Sequence, residues 1–377
     1  MNEIKPPAVT MIVSHLAPVF GMERVALNVL LLLRKSYDVD VVCVGGGAED
    51  VAVSPGVRLL GKPLRGLGRF RSLWRMYRLA RTLETETVIL VGAWVAVPWL
   101  LVNGVSRWRT VVWEHSMMKT RIRHSQQLRA LALAAQFLYR SAHKVVTVSR
   151  PLQRDMQSLC KQASIVTIPN PIGFPNDAGV PGRSEMIPAD GFPAARTIRL
   201  LSVGSLTKVK AQHLIVRALS FLDDSFELVF IGTGPMKEEL SRLADELGVS
   251  SRVIFDGYLS PDEVAIRMSD ADLLIHSSVV ETFGLVYVEA ANAGLPVIST
   301  RNPLAEELIP AYVPGWVCEP DPESLALEIA LRVREVLHVL VIQRADALRR
   351  SEFSSDKVLA LWASIIQPPP IPLASKC

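Results

Sequence analysis

Cysteine is scarce in this chain. The four that occur, Cys43, Cys160, Cys318 and Cys377, stand far apart with no C-x-x-C pair. Such spacing suits neither a zinc site nor a disulfide framework and points to a reducing compartment. A leader peptide is not expected either. Lys5 precedes an apolar stretch from Ala8, but His15 interrupts it and no small-residue cleavage site follows, so the stretch reads as a first buried strand. Long apolar runs are nearly absent. The exception, Thr87 to Ser106, is 20 residues without a charge and reaches the nominal length of a membrane span. Gly92, Pro98, Asn103 and Gly104 break it into a short strand and a buried helix.

Acidic residues are sparse in one part of the chain only. Met1 to Val180 carries 23 Lys and Arg against 11 Asp and Glu, whereas the remainder carries 18 against 26. Lys62, Arg65, Arg69, Arg71, Arg75, Arg78 and Arg81 occur with no acid among them, interleaved with Leu67, Phe70, Leu73, Trp74, Tyr77 and Leu79. A basic amphipathic segment of this kind can lie on anionic lipid, or it can be a solvated helix face packed on a sheet through Leu73, Trp74 and Tyr77. No nucleic-acid-binding motif accompanies it. With 377 residues, 49% hydrophobic and 21% charged, the chain is long enough for two folded domains with separate cores.

Strand and helix patterns alternate along the chain, the mark of parallel α/β architecture. Val9 to Val13, Val39 to Val44, Val88 to Val91, Thr110 to Trp113 and Lys144 to Val148 read as strands, with a helix over Met22 to Arg34 and further helical patterns between. Pro and Gly then concentrate between Gly173 and Ala195, a linker by composition. The cycle restarts with strands at Arg199 to Val203, Glu227 to Ile231 and Val253 to Phe255 and a helix over Met236 to Leu247. A helical stretch from Glu323 to about Arg350 and a Pro-rich tail at Pro368 to Pro372 close the chain. No internal repeat stands out beyond this doubling. The expected division is an N-terminal Rossmann-like domain over 1–180, a linker over 181–197, a second such domain over 198–350, and a C-terminal helix and tail over 351–377 that returns to the first domain.

The most informative stretch runs from Ser278 to Ala290, S-V-V-E-T-F-G-L-V-Y-V-E-A, followed by Gly294-Leu295-Pro296-Val297-Ile298. Asp272 to His276 reads as a buried strand, and Gly284 breaks the chain before a helical pattern resumes at Val286. Glu281 therefore falls in a loop beyond a strand's carboxyl end and Glu289 inside the next helix. In open α/β sheets ligands bind in that crevice, where N–H groups at a helix start can hold phosphate oxygens. The two carboxylates would touch different parts of one ligand, and a vicinal diol such as a ribose suits Glu289.

This segment resembles the E-x7-E signature of the retaining, nucleotide-sugar-dependent glycosyltransferases of family four, which have the GT-B fold. The resemblance extends from Ile12 to Trp362 and implies two Rossmann-like domains whose parallel sheets face each other across a cleft. His15 to Val25 is similar to the family's first strand-to-helix loop, where paired glycines precede an acidic residue. Here Phe20 replaces the first glycine, and Gly21 keeps the second, which would allow close approach of a diphosphate or acceptor. Val111 to Ser116 resembles a strand ending in a histidine near the donor sugar, which implicates His115. Val146 to Ser149 and Ile168 to Ile172 match the last N-terminal strand and its exit. Val203 to Lys210 resembles the loop in which the family carries an arginine and a lysine on the departing diphosphate. Lys210 is retained, but Ser205 stands in place of the arginine and supplies no charge. Gly232-Thr233-Gly234 resembles a phosphate-side turn and Asp256 to Leu259 the loop around the base.

The resemblance implies a hexosyltransferase of cell-surface polysaccharide synthesis, using a UDP- or GDP-linked sugar and a glycan or glycolipid acceptor. Glu281, His115 and Lys210 are the expected catalytic residues, and Gly21, Ser205, Lys210, Gly234, Phe283, Gly284, Leu285 and Glu289 the expected donor-binding residues. Lys210 and the N–H groups near Phe283, Gly284 and Leu285 would stabilise the charge that builds on the diphosphate. No cofactor and no metal are expected. Asp38-Val39-Asp40 and Asp270-Ala271-Asp272 fit the metal-chelating D-x-D pattern but read as turn acids at strand entries. The expected location is cytoplasmic, peripheral to the inner membrane face. Two readings stand beside this one: an epimerase or phosphorylase on the same fold, and a silent binder of nucleotide sugar, which Ser205 favours.

Overall fold

A computed structural model describes residues 8–17, 21–45, 47–54, 56–61, 68–103, 107–118, 126–171, 197–333 and 352–366. The chain divides into two compact units, Met1–Ile172 with Glu352–Cys377, and Gly173–Ser351. The expected linker, apart from Thr197, lies outside the described residues, as do Phe20, the segment 62–67, most of the stretch after Val333, and the Pro-rich tail.

The first unit is built on seven parallel strands: β1 Ala8–Val13, β2 Asp38–Cys43, β3 Arg58–Leu59, β4 Thr87–Val91, β5 Arg109–Glu114, β6 Lys144–Thr147 and β7 Ile165–Thr167. Their order is β3-β2-β1-β4-β5-β6-β7. The direction of growth reverses between β1 and β4, and the right-handed rule for parallel crossovers then puts helices on both faces. The helices are α1 Gly21–Leu33, α2 Ala48–Val53, α3 Gly68–Thr82, α4 Ala93–Asn103, α5 Gln126–Leu138 and α6 Arg150–Leu159. The uncharged stretch from Thr87 resolves into β4, every residue of it buried, and α4, which carries Pro98. No described helix is long and apolar enough to cross a membrane.

The last helix of the chain, α13 Ser355–Ile366, belongs to this first unit. Its Trp362 is fully buried and meets the Trp113 ring edge-on at 5.1 Å. Thr87 donates from its hydroxyl to the Ile366 carbonyl. Burying an aromatic pair of this size contributes several kcal/mol, of order 3–5 for loss of one ring.

The second unit has six parallel strands: β8 Ile198–Val203, β9 Phe226–Ile231, β10 Val253–Gly257, β11 Leu273–His276, β12 Val297–Thr300 and β13 Gly315–Cys318, ordered β10-β9-β8-β11-β12-β13. The reversal falls between β8 and β11. The helices are α7 His213–Leu219, α8 Lys237–Glu246, α9 Pro261–Asp270, α10 Leu285–Asn292, α11 Pro303–Ala311 and α12 Pro322–Arg332. Three of them start with a capping side chain followed by proline at the first helical position. Ser260 caps α9 in a reciprocal box with Glu263, Asn302 accepts from the Leu304 and Ala305 N–H groups, and Asp321 accepts from Ser324. The cap satisfies orphan donors and the proline ring sets φ, so each start is fixed locally at about 1 kcal/mol per cap.

One acid of each D-x-D stretch has a structural partner. Asp40 pairs with Arg58 at 2.9 Å, and Asp272 accepts the Arg199 N–H. Cys43, Cys160 and Cys318 are buried free thiols whose pKa values burial pushes up to about 12. Thiolates are thus disfavoured at all three.

Candidate functional site

Two neighbouring loops of the second unit, after β8 and after β11, flank the point where strand order reverses. They are stitched together: the Val279 N–H donates to the Val209 carbonyl, and the Ser277 hydroxyl to the Lys210 carbonyl at 2.7 Å. The β8 loop turns through a short 3-10 segment, Lys208–Lys210, and leaves it at Ala211 with φ of 47°. That left-handed residue redirects the chain into α7 and leaves Lys210 facing the β11 loop. Lys210 Nζ lies 2.6 Å from Glu281 Oε2.

His276, the last residue of β11, also reaches that oxygen, with Nε2 at 3.2 Å. Its ring is buried and packs edge-on against Tyr287 at 5.0 Å. The Tyr287 hydroxyl is in turn held by Ser299 and Asn302. Burial lowers the His276 pKa, and the nearby Glu281 offsets this only in part. A neutral imidazole therefore orients Glu281 while Lys210 supplies the positive charge. Burial alone would raise the Glu281 pKa, but the His276 hydrogen bond and the Lys210 charge outweigh it, leaving the carboxyl well below the usual range. Glu281 Oε1 accepts the Thr282 N–H at 3.2 Å and keeps a lone pair for a further donor.

Gly284 takes φ of 66° at the start of α10, and a Cβ there would collide with the Tyr287 ring. Glycine is needed for both reasons. The first turn of α10 leaves backbone N–H groups without intrahelical partners, and Leu285 and Glu289, one turn apart, are partly exposed, as is Asn292 at the helix end, while Phe283 and Gly284 are buried. Gly232 and Gly234 are required by packing. A Cβ at Gly232 would strike the Gly204 carbonyl oxygen, and one at Gly234 the Leu206 carbonyl. The Leu206 N–H donates to Thr233, and the Met236 N–H returns to Leu206. Ser205 is exposed, and its backbone carbonyl accepts from the buried Gln212 side chain.

Thus Ser205, Lys210, Gly234, Glu281, Phe283, Gly284, Leu285 and Glu289 occupy loops and a helix start of one unit, whereas Gly21 and His115 belong to the other. There, a cavity of about 270 Å³ opens at the carboxyl ends of β1, β4 and β5, lined among others by Ser14, Glu23, Trp94, His115, Ser116 and Met118. Gly21 opens α1, and the next two residues line the cavity. His115 follows β5, its ring 4.5 Å from that of Trp113. Burial lowers its pKa to about 3, so it is neutral near pH 7. Its Nε2 and the Glu23 Oε2 are buried without a hydrogen-bond partner among the described residues.

Sequence reasoning missed His276, Glu23 and Asp50. His276 looked like the end of a core strand, and only its place five residues before Glu281 could have marked it. Asp50 is fully buried in α2 and accepts the N–H groups of Leu16, Ala17 and Gly47, which fixes the loop after β1. Burial pushes its pKa up, but these donors and His15 bring it below the ordinary value.

Two family profiles match the chain: Glycosyltransferase Family 4 over residues 19–173, and Glycosyl transferases group 1 over residues 186–336. Together they take in most of the chain, which belongs to the family-four glycosyltransferases of GT-B fold. Among curated proteins it is similar to alpha-monoglucosyldiacylglycerol synthase of Streptococcus pneumoniae, 39% identical over 113 residues, 29% of this chain and 26% of that one. It is also similar to N-acetyl-alpha-D-glucosaminyl L-malate synthase of Bacillus anthracis, 29% identical over 170 residues, 44% of each. The chain thus matches less than half the length of these relatives. Among solved structures, Anabaena Alr3699/HepE in complex with UDP and glucose superposes with a TM-score of 0.76 at 19% identity, covering 95% of this chain and 98% of that one. WaaG, a glycosyltransferase involved in lipopolysaccharide biosynthesis, gives 0.73 at 19% identity, over 96% and 100%.

Proposed function

We propose that the chain is a retaining hexosyltransferase, moving a sugar from a UDP- or GDP-linked donor to a glycan or glycolipid acceptor of cell-surface polysaccharide synthesis. The observation that carries this reading is the contact of Lys210 with Glu281 beside the start of α10. A cation, a carboxylate with spare lone pairs and a set of backbone donors converge there, and a sugar diphosphate needs all three. The similarity to alpha-monoglucosyldiacylglycerol synthase, whose name is that of an enzyme making a glycolipid, supports the acceptor class, and the UDP complexes of the Anabaena protein support the donor.

In this mechanism Lys210 exchanges its contact with Glu281 for the diphosphate as the donor binds. Its charge and the N–H groups at the start of α10 stabilise the leaving group as the glycosidic bond breaks. Glu281, released from the lysine but still held by His276, accepts hydrogen bonds from the sugar hydroxyls. Glu289 accepts the two ribose hydroxyls. The cavity beside His115 and Glu23 receives the acceptor, with a neutral imidazole able to donate or accept. We assign the electrophilic role to Lys210, so donor turnover is expected to survive EDTA. The site of action is the cytoplasmic surface of an anionic membrane, supported by the arginine-rich α3.

The test is a donor-hydrolysis screen over UDP- and GDP-sugars with the native chain, Glu281→Ala and Lys210→Ala. Turnover of one donor, lost in both variants, is the expected result. Turnover indifferent to both variants would contradict the site. No turnover of any donor, with nucleotide still bound, would instead favour the silent-binder reading that Ser205 suggests.

A further inference from the structure

Helices α3, α4 and α5 lie side by side in the first unit, α3 against α4 and α4 against α5. Their sequences contain no Asp or Glu. Parallel strands joined by crossovers force all three helices to run antiparallel to the sheet, so their carboxyl-terminal halves lie at one end. The outward side chains are unusual for a water-facing surface. Trp74, Tyr77, Trp94, Leu101, Leu133 and Phe137 are 39% to 64% exposed. They include four of the six exposed aromatic side chains among the described residues, the others being Phe221 and Tyr258 in the second unit. Scattered exposed apolar residues need no explanation, but a concentration on adjoining helices does.

Charge identifies what this face fits. The Arg78 guanidinium lies 4.8 Å from the centre of the Trp74 ring, and that of Arg81 4.8 Å from the Tyr77 ring, where it also hydrogen-bonds the hydroxyl. Arg140, just beyond α5, is exposed as well. Arginine stacked on an exposed ring, beside aliphatic side chains and with no carboxylate on the same helices, is the composition of a surface lying at a lipid headgroup boundary. An acidic protein would pair with the arginines but leave Leu101, Leu133 and Phe137 without partners. A second copy would oppose arginine to arginine.

From this we infer that the outer face of α3, α4 and α5 docks on an anionic bilayer, with Trp74, Leu133 and Phe137 entering the headgroup region and Arg78 and Arg81 meeting lipid phosphates. The inference rests on the proposed membrane-surface function and assigns the membrane contact to three helices instead of the basic segment alone.

Co-sedimentation of the full chain with vesicles tests it, using phosphatidylcholine alone and phosphatidylcholine with about 30% phosphatidylglycerol. The chain is expected to bind the anionic vesicles, weakly or not at all the neutral ones, and less at about 0.5 M than at about 0.1 M salt. Arg78→Gln with Arg81→Gln should lower partition roughly thirtyfold, at about 1 kcal/mol per lost charge. Trp74→Ser with Phe137→Ser should lower it at least roughly tenfold. Melting temperature and donor hydrolysis should be unchanged in both variants. The inference is overturned by absence of binding to anionic vesicles, by binding that either double variant leaves intact, or by a dimer abolished by Trp74→Ser with Phe137→Ser. Failure of donor hydrolysis with vesicle binding intact would count against the proposed reaction, not against this surface.

Discussion

The two candidate sites of this chain handle buried charge in opposite ways. In the second unit, Glu281 is surrounded by Lys210, His276 and the Thr282 N–H, and its charge is satisfied before any ligand arrives. In the first unit, Glu23 Oε2 and His115 Nε2 are buried with no such partner among the described residues. A satisfied ion pair is held in place and must exchange partners on binding, whereas unsatisfied atoms cost stability until a ligand supplies hydrogen bonds. The first arrangement suits a charged, demanding ligand such as a diphosphate. The second suits a polyhydroxylated one. The contrast can be broken by mutation, because the same kind of change should have opposite signs in the two sites.

The largest effect is expected at Lys210. Lys210→Ala should lower donor turnover by roughly 100- to 1000-fold, as loss of one transition-state donor does elsewhere. It should also destabilise the fold by about 3 kcal/mol, because Glu281 is left buried without its cation. A urea titration beside the kinetics measures both.

Next in size is Gly232→Ala, which forces a Cβ into the Gly204 carbonyl at φ of 134°. A loss of about 2–3 kcal/mol is expected in the urea midpoint. His276→Phe should then cut turnover by roughly tenfold to 100-fold through kcat more than KM, with His276→Gln recovering most of it, since an amide can still donate to Glu281. A simple packing role would give the reverse order, with phenylalanine tolerated better.

In the first unit the sign changes. Glu23→Gln should stabilise the chain by about 1 kcal/mol while lowering transfer to acceptor, because a neutral amide costs less to keep from water than a carboxylate, one oxygen of which has no partner among the described residues. Thermal melts decide the matter, and a destabilised Glu23→Gln would remove the contrast. The smallest effect is on the pH dependence. His115 has its pKa lowered to about 3 from 6.5, so the unfolded chain binds the proton first as pH falls. Its contribution to stability is fully present above about pH 6.5 and declines toward pH 3. His115→Asn should flatten that acid limb in melts taken from pH 7 to pH 4.

Strand and helix identity was legible wherever periodicity was strong. Val9 to Val13, Thr110 to Trp113 and Glu227 to Ile231 lie within β1, β5 and β9, because apolar runs of that length between polar turns have few other uses. β3 was missed because it is two exposed residues whose only strand character comes from pairing with β2. α2 was missed for a similar reason, since its purpose is to bury Asp50 under the loop after β1, a contact over 33 and 34 positions. Residue types at the C-terminal site were readable, but their partnerships were not. Lys210 and Glu281 are 71 positions apart and meet only because β8 and β11 become neighbours. Gly234 looked like a ligand-binding glycine, yet Leu206 is what forbids a side chain there.

The central claim is that Lys210 serves the diphosphate and Glu281 the sugar, although each now holds the other. Calorimetric titration of the free nucleoside diphosphates UDP and GDP into the native chain, Lys210→Ala and Glu281→Ala separates the two roles, since these ligands carry the phosphates without the sugar. The account predicts that Lys210→Ala weakens the preferred nucleotide by about tenfold to 100-fold, while Glu281→Ala, which frees the lysine, leaves affinity equal or tighter. Equal weakening in both variants would contradict it.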